Sequence, residues 1–173
     1  MKKDNWILKS FLMTFFIAII FSSASNFLIS KFNNTILLIV VCVIFIGIGI
    51  LFDIVGTAVL TANEASFHAK SAKKIKGSKE GVYLIKNSST IASICNDVIG
   101  DICGIVSGSL GAMLAINIST KFNLSTVIIT LLVSSIISSL TVGGKAIGKK
   151  QAIKNSDAII FIAAKMLSKF KNK

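Results

Sequence analysis

Residues 91–115 read IASICNDVIGDICGIVSGSLGAMLA. This stretch is long and apolar enough to cross a bilayer as one helix, which takes roughly 20 residues. It nevertheless carries Asn96, Asp97 and Asp101 near its start. A carboxylate in hydrocarbon costs about 2.5–3.5 kcal/mol on insertion scales. The two acids therefore predict a group that compensates their charge in the membrane. That group is a cation, a proton or a second polar helix.

The composition of the whole chain agrees with a membrane protein. The chain has 173 residues, of which 53% are hydrophobic, and it contains no proline. A soluble domain of this size does not need so much apolar surface, so we predict one all-α integral membrane unit. Cys42, Cys95 and Cys103 all fall in apolar stretches without metal-ligand spacing, which is typical of small core residues.

Four apolar segments predict four transmembrane helices, at residues 7–29, 35–57, 91–118 and 124–142. The connections at residues 31–34 and 119–123 are short, so each pair of spans forms a helical hairpin. We assign residues 1–150 to the transmembrane domain. Within it, residues 58–87 are predicted to form a cytoplasmic juxtamembrane amphipathic helix. Residues 151–173 form a basic amphipathic C-terminal tail.

The lysines decide the predicted orientation. The formal net charge is +12, and all 19 basic residues are lysines. They cluster before the first span, between spans two and three, and after span four, whereas only Lys31 and Lys121 fall on the other side. Because lysines flank apolar spans, membrane topology explains the charge better than nucleic-acid binding does. The positive-inside rule predicts a multi-pass protein of the cell membrane with both termini cytoplasmic.

Two segments have alternative interpretations. Residues 2–25 have the pattern of a signal peptide with a small-residue cleavage site, but apolar residues continue to Ile29, which favours a retained helix. Residues 58–87 and 151–173 fit amphipathic helices held on the inner leaflet by apolar burial and anionic lipid. A solvated basic end is the alternative for the tail.

A helical wheel places the acids of span three beside small residues. At about 100° per residue, one stripe of the helix holds Ser93, Asp97, Gly100, Asp101, Gly104, Gly108 and Gly111. Asn96 flanks this stripe. On span two, Asp53 lies on a matching face, to which Glu64 returns if the helix continues unbroken. Carboxylate and hydroxyl oxygens are hard ligands that suit Mg²⁺, Na⁺ or Ca²⁺. The glycines alone are more typical of plain helix packing than of a transport path.

No catalytic motif is present, so we do not expect an enzyme. The chain lacks a nucleophile elbow, a P-loop, a zinc-protease motif and a dinucleotide fingerprint.

From Gly56 onward, the order of features resembles the transmembrane domain of the CorB/CorC and cyclin-M (CNNM) magnesium transporters. The similar segments are Ala62-Asn63-Glu64-Ala65, a basic amphipathic stretch with Gly77, Ile94-Cys95-Asn96-Asp97, and residues 144–149. The resemblance covers about residues 35–150. It implies a juxtamembrane helix, a homodimer, and Asn96 as an ion ligand. Lys145 and Gly148 depart from the family, which has Glu and Pro at these positions.

These observations predict membrane transport of a divalent cation, with Mg²⁺ first and Co²⁺ second, and with Na⁺ as a candidate second ion. Ser93, Asn96, Asp97 and Asp101 are the expected ligands. Asp53 and Glu64 are expected to line the cytoplasmic approach. The alternative is a non-transporting membrane scaffold or accessory subunit whose acids pair with a partner. Mg²⁺-dependent stability separates the two hypotheses.

Overall fold

The computed structural model describes residues 4–31 and 35–171. Lys2, Lys3 and Lys173 and most of the predicted turn at residues 31–34 lie outside the described residues. Within the described ranges, the chain is helical with short connections and contains no strand. The prediction of an all-α protein is therefore confirmed. The helices in chain order are α1 (Asp4–Lys31), α2 (Thr35–Thr61), α3 (Glu64–Ala72), α4 (Ser78–Lys86), α5 (Ser88–Ser93), a π-helical segment (Ile94–Gly100), α6 (Asp101–Phe122), α7 (Thr126–Lys154) and α8 (Ser156–Lys171).

Three helical stretches are long and apolar enough to cross a bilayer: Thr35–Thr61, Ser88–Phe122 and Thr126–Lys154. They contain the predicted second and third spans, and all of the predicted fourth span except its first two residues. The predicted first span lies in α1, whose apolar part among the described side chains is Leu8–Ala24. Large apolar side chains along α2 and α7 remain exposed, including Val43, Ile44 and Leu131. Lipid is the natural cover for such continuous apolar faces.

The fourth helix is longer than its apolar run. The hydrophobic pattern predicted an end at Val142, whereas α7 continues to Lys154. Lysine is a good helix former, so the change from apolar to basic sequence does not end the helix. Lys145 and Lys149 consequently belong to α7. The predicted tail of residues 151–173 begins inside α7 and continues as α8.

The segment between spans two and three forms two short helices instead of one. Asn63 caps α3, because its side chain accepts a hydrogen bond from the Ala65 backbone N–H at 3.0 Å. Between α3 and α4, Lys74 and Gly77 have φ values of 54° and 91°. Only glycine takes the second value without strain, and a Cβ at Gly77 would lie 3.0 Å from Lys165 Cα. The chain therefore turns sharply beside α8.

The described chain forms two compact units. The first unit holds the chain up to residue 50 together with Val98–Gly144. Its core joins residues of α2 with residues of the third span, including Cys42, Phe45, Val106 and Leu110. The Cys42 thiol also donates to the Ser107 carbonyl at 3.5 Å between sulfur and oxygen.

The second unit holds Leu51–Asp97 and the chain from residue 145. The core of this unit joins the end of α2 to α3, α4 and α8 through Val59, Phe67, Leu84 and Ile160. At the start of α8, Asp157 accepts a hydrogen bond from the Asn63 backbone N–H at 2.8 Å. One apolar face of the predicted tail, which includes Ile160 and Ala164, is thus packed against the chain itself.

Candidate functional site

Asp53 is the buried acid of the second unit. It lies in the last third of α2, and its side chain is 3% exposed. Two lysines of α7 approach it: Lys145 Nζ lies 3.9 Å from Oδ1 and Lys149 Nζ lies 3.6 Å from Oδ2. The two lysines are four residues apart, so they share one face of α7. Charge compensation of this acid therefore comes from the chain itself.

The carboxylate is paired in charge but incompletely hydrogen-bonded. Asp53 Oδ2 is buried and has no hydrogen-bond partner within the described residues. Charge-assisted hydrogen bonds between nitrogen and oxygen are about 2.7–2.9 Å long, and both lysine distances exceed that range. A buried acceptor without a donor is costly and calls for an explanation.

Asn96 presents the second buried oxygen without a donor. It lies in the π-helical segment, and its Oδ1 has no hydrogen-bond partner within the described residues. The amide packs against α2 at Gly56, where an added Cβ would overlap Oδ1. Gly56 follows Asp53 by three residues, about one turn along the same face of α2. Two buried oxygen atoms therefore lie against the same face of α2, about one turn apart, and neither has a hydrogen-bond donor within the described residues.

The π-helical segment changes the geometry of the third span. Residues Ile94–Gly100 form i to i+5 hydrogen bonds, a rare arrangement that occurs frequently at functional sites. The predicted stripe assumed 100° per residue throughout, so its angles are wrong across these residues. Asp97 consequently lies within the π-helical segment, and Ser93 directly precedes it.

Ser93 and Asp97 form a pair on the exposed surface of the second unit. Ser93 Oγ donates to Asp97 Oδ2 at 2.9 Å. Asp97 is exposed, and so is Asp101, which begins α6 and belongs to the first unit. Neither carboxylate is buried within the described chain. The acid that is buried is Asp53, which the sequence placed only at the approach to the site.

Glu64 lies away from the predicted face. Its placement beside Asp53 required an unbroken second helix, but α2 ends at Thr61 and Asn63 caps a new helix. Glu64 is exposed, and its Oε1 lies 3.1 Å from His68 Nε2. The unbroken second helix on which the predicted position of Glu64 depended is therefore not formed.

The donor set at the site is made of oxygens. Within the described residues, no group of three or more His, Cys, Asp or Glu side chains is placed to hold a metal ion. None of the three cysteines forms a disulfide. A cation between Asp53 and Asn96 would be held by one carboxylate and one amide oxygen, with the rest of its shell from backbone or water. Such a mixed oxygen shell suits Mg²⁺, which usually keeps several waters.

The glycines at which helices approach closely do not include Gly104 and Gly108 of the predicted stripe. A Cβ at Gly104 or Gly108 would meet no heavy atom of the described residues within 4 Å, so neither glycine makes a close approach there. A Cβ at Gly49 would lie 3.1 Å from Cys103 Cβ, and a Cβ at Gly111 would overlap Ile137. The glycines of α2 that make a close approach are therefore Gly49 and Gly56.

The two lysine partners of Asp53 were not predicted from the sequence. Their spacing of four residues was visible, but α7 was predicted to end before them. The π-helical segment has no recognised side-chain signature. Comparison with known protein families, characterised proteins and solved structures finds no match to this chain.

Proposed function

We propose that this protein transports a divalent cation, Mg²⁺ first and Co²⁺ second, across the cell membrane. The observation that carries the proposal is the pair of buried oxygens, Asp53 Oδ2 and Asn96 Oδ1, which lack hydrogen-bond donors within the described chain. Desolvated oxygens of this kind gain a partner when a hard cation binds. The resemblance to the CorB/CorC and cyclin-M transporters independently selects Asn96.

The proposed site differs from the site expected from sequence. Asp53 and Asn96 are its primary oxygens, and the Ser93–Asp97 pair is a polar group on the exposed surface of the same unit. The exposed carboxylates of Asp97 and Asp101 attract dissolved cations or basic side chains of a second copy of the chain. Na⁺ is the proposed second ion, since the same oxygens also suit it.

The proposed topology has four spans, with α1 as the first, and both termini in the cytoplasm. The lysine-rich segment from α3 to α4 and the basic α8 then lie at the inner leaflet, where anionic lipid attracts basic segments. The assembly is a homodimer by family analogy. Gly104 and Gly108 leave open space on α6, where a helix of a second copy could pack closely, as small residues permit in membranes.

A non-transporting scaffold or accessory subunit is the second candidate, and the ion pairs of Asp53 favour it. An acid that is compensated by Lys145 and Lys149 within the chain needs no metal. In a scaffold, these contacts serve stability alone. The two hypotheses differ in what Mg²⁺ does to the folded protein.

Thermal unfolding of the purified protein under an Mg²⁺ titration separates them. A ligand that binds only the folded state at 100 times its Kd raises stability by about 2.7 kcal/mol. For a transporter we expect saturable stabilisation by Mg²⁺, weakened at least tenfold in apparent affinity by Asn96→Ala. Asn117→Ala is the control, because Asn117 is a half-buried asparagine of α6 outside the site. Absence of any Mg²⁺ response in the wild-type protein contradicts the transport proposal and supports the scaffold.

A further inference from the structure

The contacts of Asp53 with Lys145 and Lys149 are long enough for another cation to replace the two ammonium groups. The nitrogen–oxygen distances of 3.9 and 3.6 Å are electrostatic contacts, longer than charge-assisted hydrogen bonds. Asp53 Oδ2 keeps an unfilled acceptor site beside Lys149. The ammonium groups therefore neutralise the carboxylate without using all of its oxygen ligands.

The two lysines differ in how easily their ammonium groups can move away from the Asp53 carboxylate. The Lys149 side chain is 51% exposed, and the Lys145 side chain is 21% exposed. A lysine stem can swing its ammonium from a buried acid towards water or lipid headgroups while the stem stays on apolar surface. Lys149 thus has a direct route away from Asp53, and Lys145 has a narrower one.

A divalent cation and both ammoniums cannot share this carboxylate. One carboxylate and two ammoniums already carry a net charge of +1 (−1 + 2). A bound Mg²⁺ would raise that to +3 in a partly buried site, where like charges repel strongly. Binding of the ion therefore requires that the ammoniums withdraw.

We propose that Lys145 and Lys149 act as tethered competitors that occupy Asp53 when no ion is bound and are displaced by a divalent cation. This inference rests on the proposed function. The lysines lower the affinity of the site, so the ion binds only above a threshold concentration. They also discriminate against monovalent ions, since a single positive charge replaces two ammoniums poorly. Movement of the lysines couples the ion to the C-terminal half of α7.

The test compares two double variants with the same charge change on the same helix. Lys145→Gln with Lys149→Gln removes the competitors. Lys150→Gln with Lys154→Gln is the control, because both of these lysines are exposed and are also four residues apart. Mg²⁺ and Na⁺ titrations of thermal stability give the half-saturating concentrations.

We expect the competitor variant to bind Mg²⁺ at least tenfold more tightly than the control variant, and to show a new response to Na⁺. Without ion, it should unfold at a lower temperature than the control, because Asp53 then lacks compensation. Adding Asp53→Asn should abolish the gain in Mg²⁺ affinity. If the double variant does not fold, Lys149→Gln alone should show a smaller shift in the same direction, with Lys150→Gln as its control.

The outcomes distinguish this inference from the proposed function. An Mg²⁺ response that depends on Asp53 but is equal or weaker in the competitor variant overturns the inference and leaves transport standing. Absence of an Mg²⁺ response in the wild-type protein and in every variant overturns both.

Discussion

At the scale of single residues, the site depends on a buried acid, an amide and a glycine. Asp53 has its charge partners on α7, about ninety positions along the chain, and no local pattern predicts such a pairing. The pairing of Asn96 with Gly56 was equally hidden, although the sequence identified Asn96 as a candidate ligand. The residue types thus identified candidate ligands, whereas the contacts between those residues could be known only from the folded structure.

Gly56 is the residue whose substitution tests the packing of the site. Gly56→Ala adds a Cβ that overlaps Asn96 Oδ1, so we expect a loss of about 1–3 kcal/mol of stability, typical of overpacking. Gly47→Ala is the matched control on α2, since its Cβ would meet no atom within 4 Å. The control gains helix propensity, worth up to about 1 kcal/mol. Thermal unfolding of both variants measures the difference, and equal effects would show that Asn96 does not pack on Gly56.

At the scale of elements, length and hydrophobicity predicted the three long apolar helices, because apolar runs of roughly 20 or more residues have few other solutions. Boundaries were less predictable. The end of α2 and the start of α3 follow from the Asn63 cap, a local signal that was present in the sequence beside Glu64. The end of α7 was missed because the lysines mark the edge of the apolar run without ending the helix. The π-helical segment at Ile94–Gly100 was not predicted, because the apolar pattern of the third span gave no sign of it.

The docking of α8 onto α3 and α4 can be tested with two isoleucines of α8. Ile160 is fully buried in the core that α8 shares with α3 and α4, whereas Ile162 is 61% exposed on the same helix. We expect Ile160→Ala to cost about 2–5 kcal/mol and to raise hydrogen exchange throughout α8. Ile162→Ala should leave both quantities nearly unchanged. Equal exchange in the two variants would mean that α8 lies on the membrane surface without docking on the chain.

At the scale of the whole molecule, the proposed orientation follows from charge. The exposed lysines are concentrated between α3 and α4, on α4, at the end of α7 and on α8, whereas residues 119–125, at the end of α6 and in its connection to α7, carry Lys121 as their single lysine. The same rule that sorts lysines to the cytoplasmic side therefore predicts the orientation of every span.

Cysteine labelling in intact cells tests this topology. In a background without the natural cysteines, a cysteine at Asn123 should react with an impermeant reagent from outside. A cysteine at Ser125 should react in the same way, and cysteines at Lys79 and Lys169 should react only after the membrane is permeabilised. Labelling of Lys79→Cys from outside would invert the orientation and remove the basis for a cytoplasmic approach to Asp53.

Ion flux into sealed proteoliposomes is the most direct test of the central claim. With an Mg²⁺-sensitive dye inside and Mg²⁺ outside, the wild-type protein should raise the internal signal above that of protein-free vesicles. Asn96→Ala should lower the initial rate at least tenfold because it removes one of the two buried oxygens proposed to bind the ion, and Asn117→Ala should retain the wild-type rate. A wild-type rate equal to that of empty vesicles, or an Asn96→Ala rate equal to that of the wild type, would contradict transport through this site.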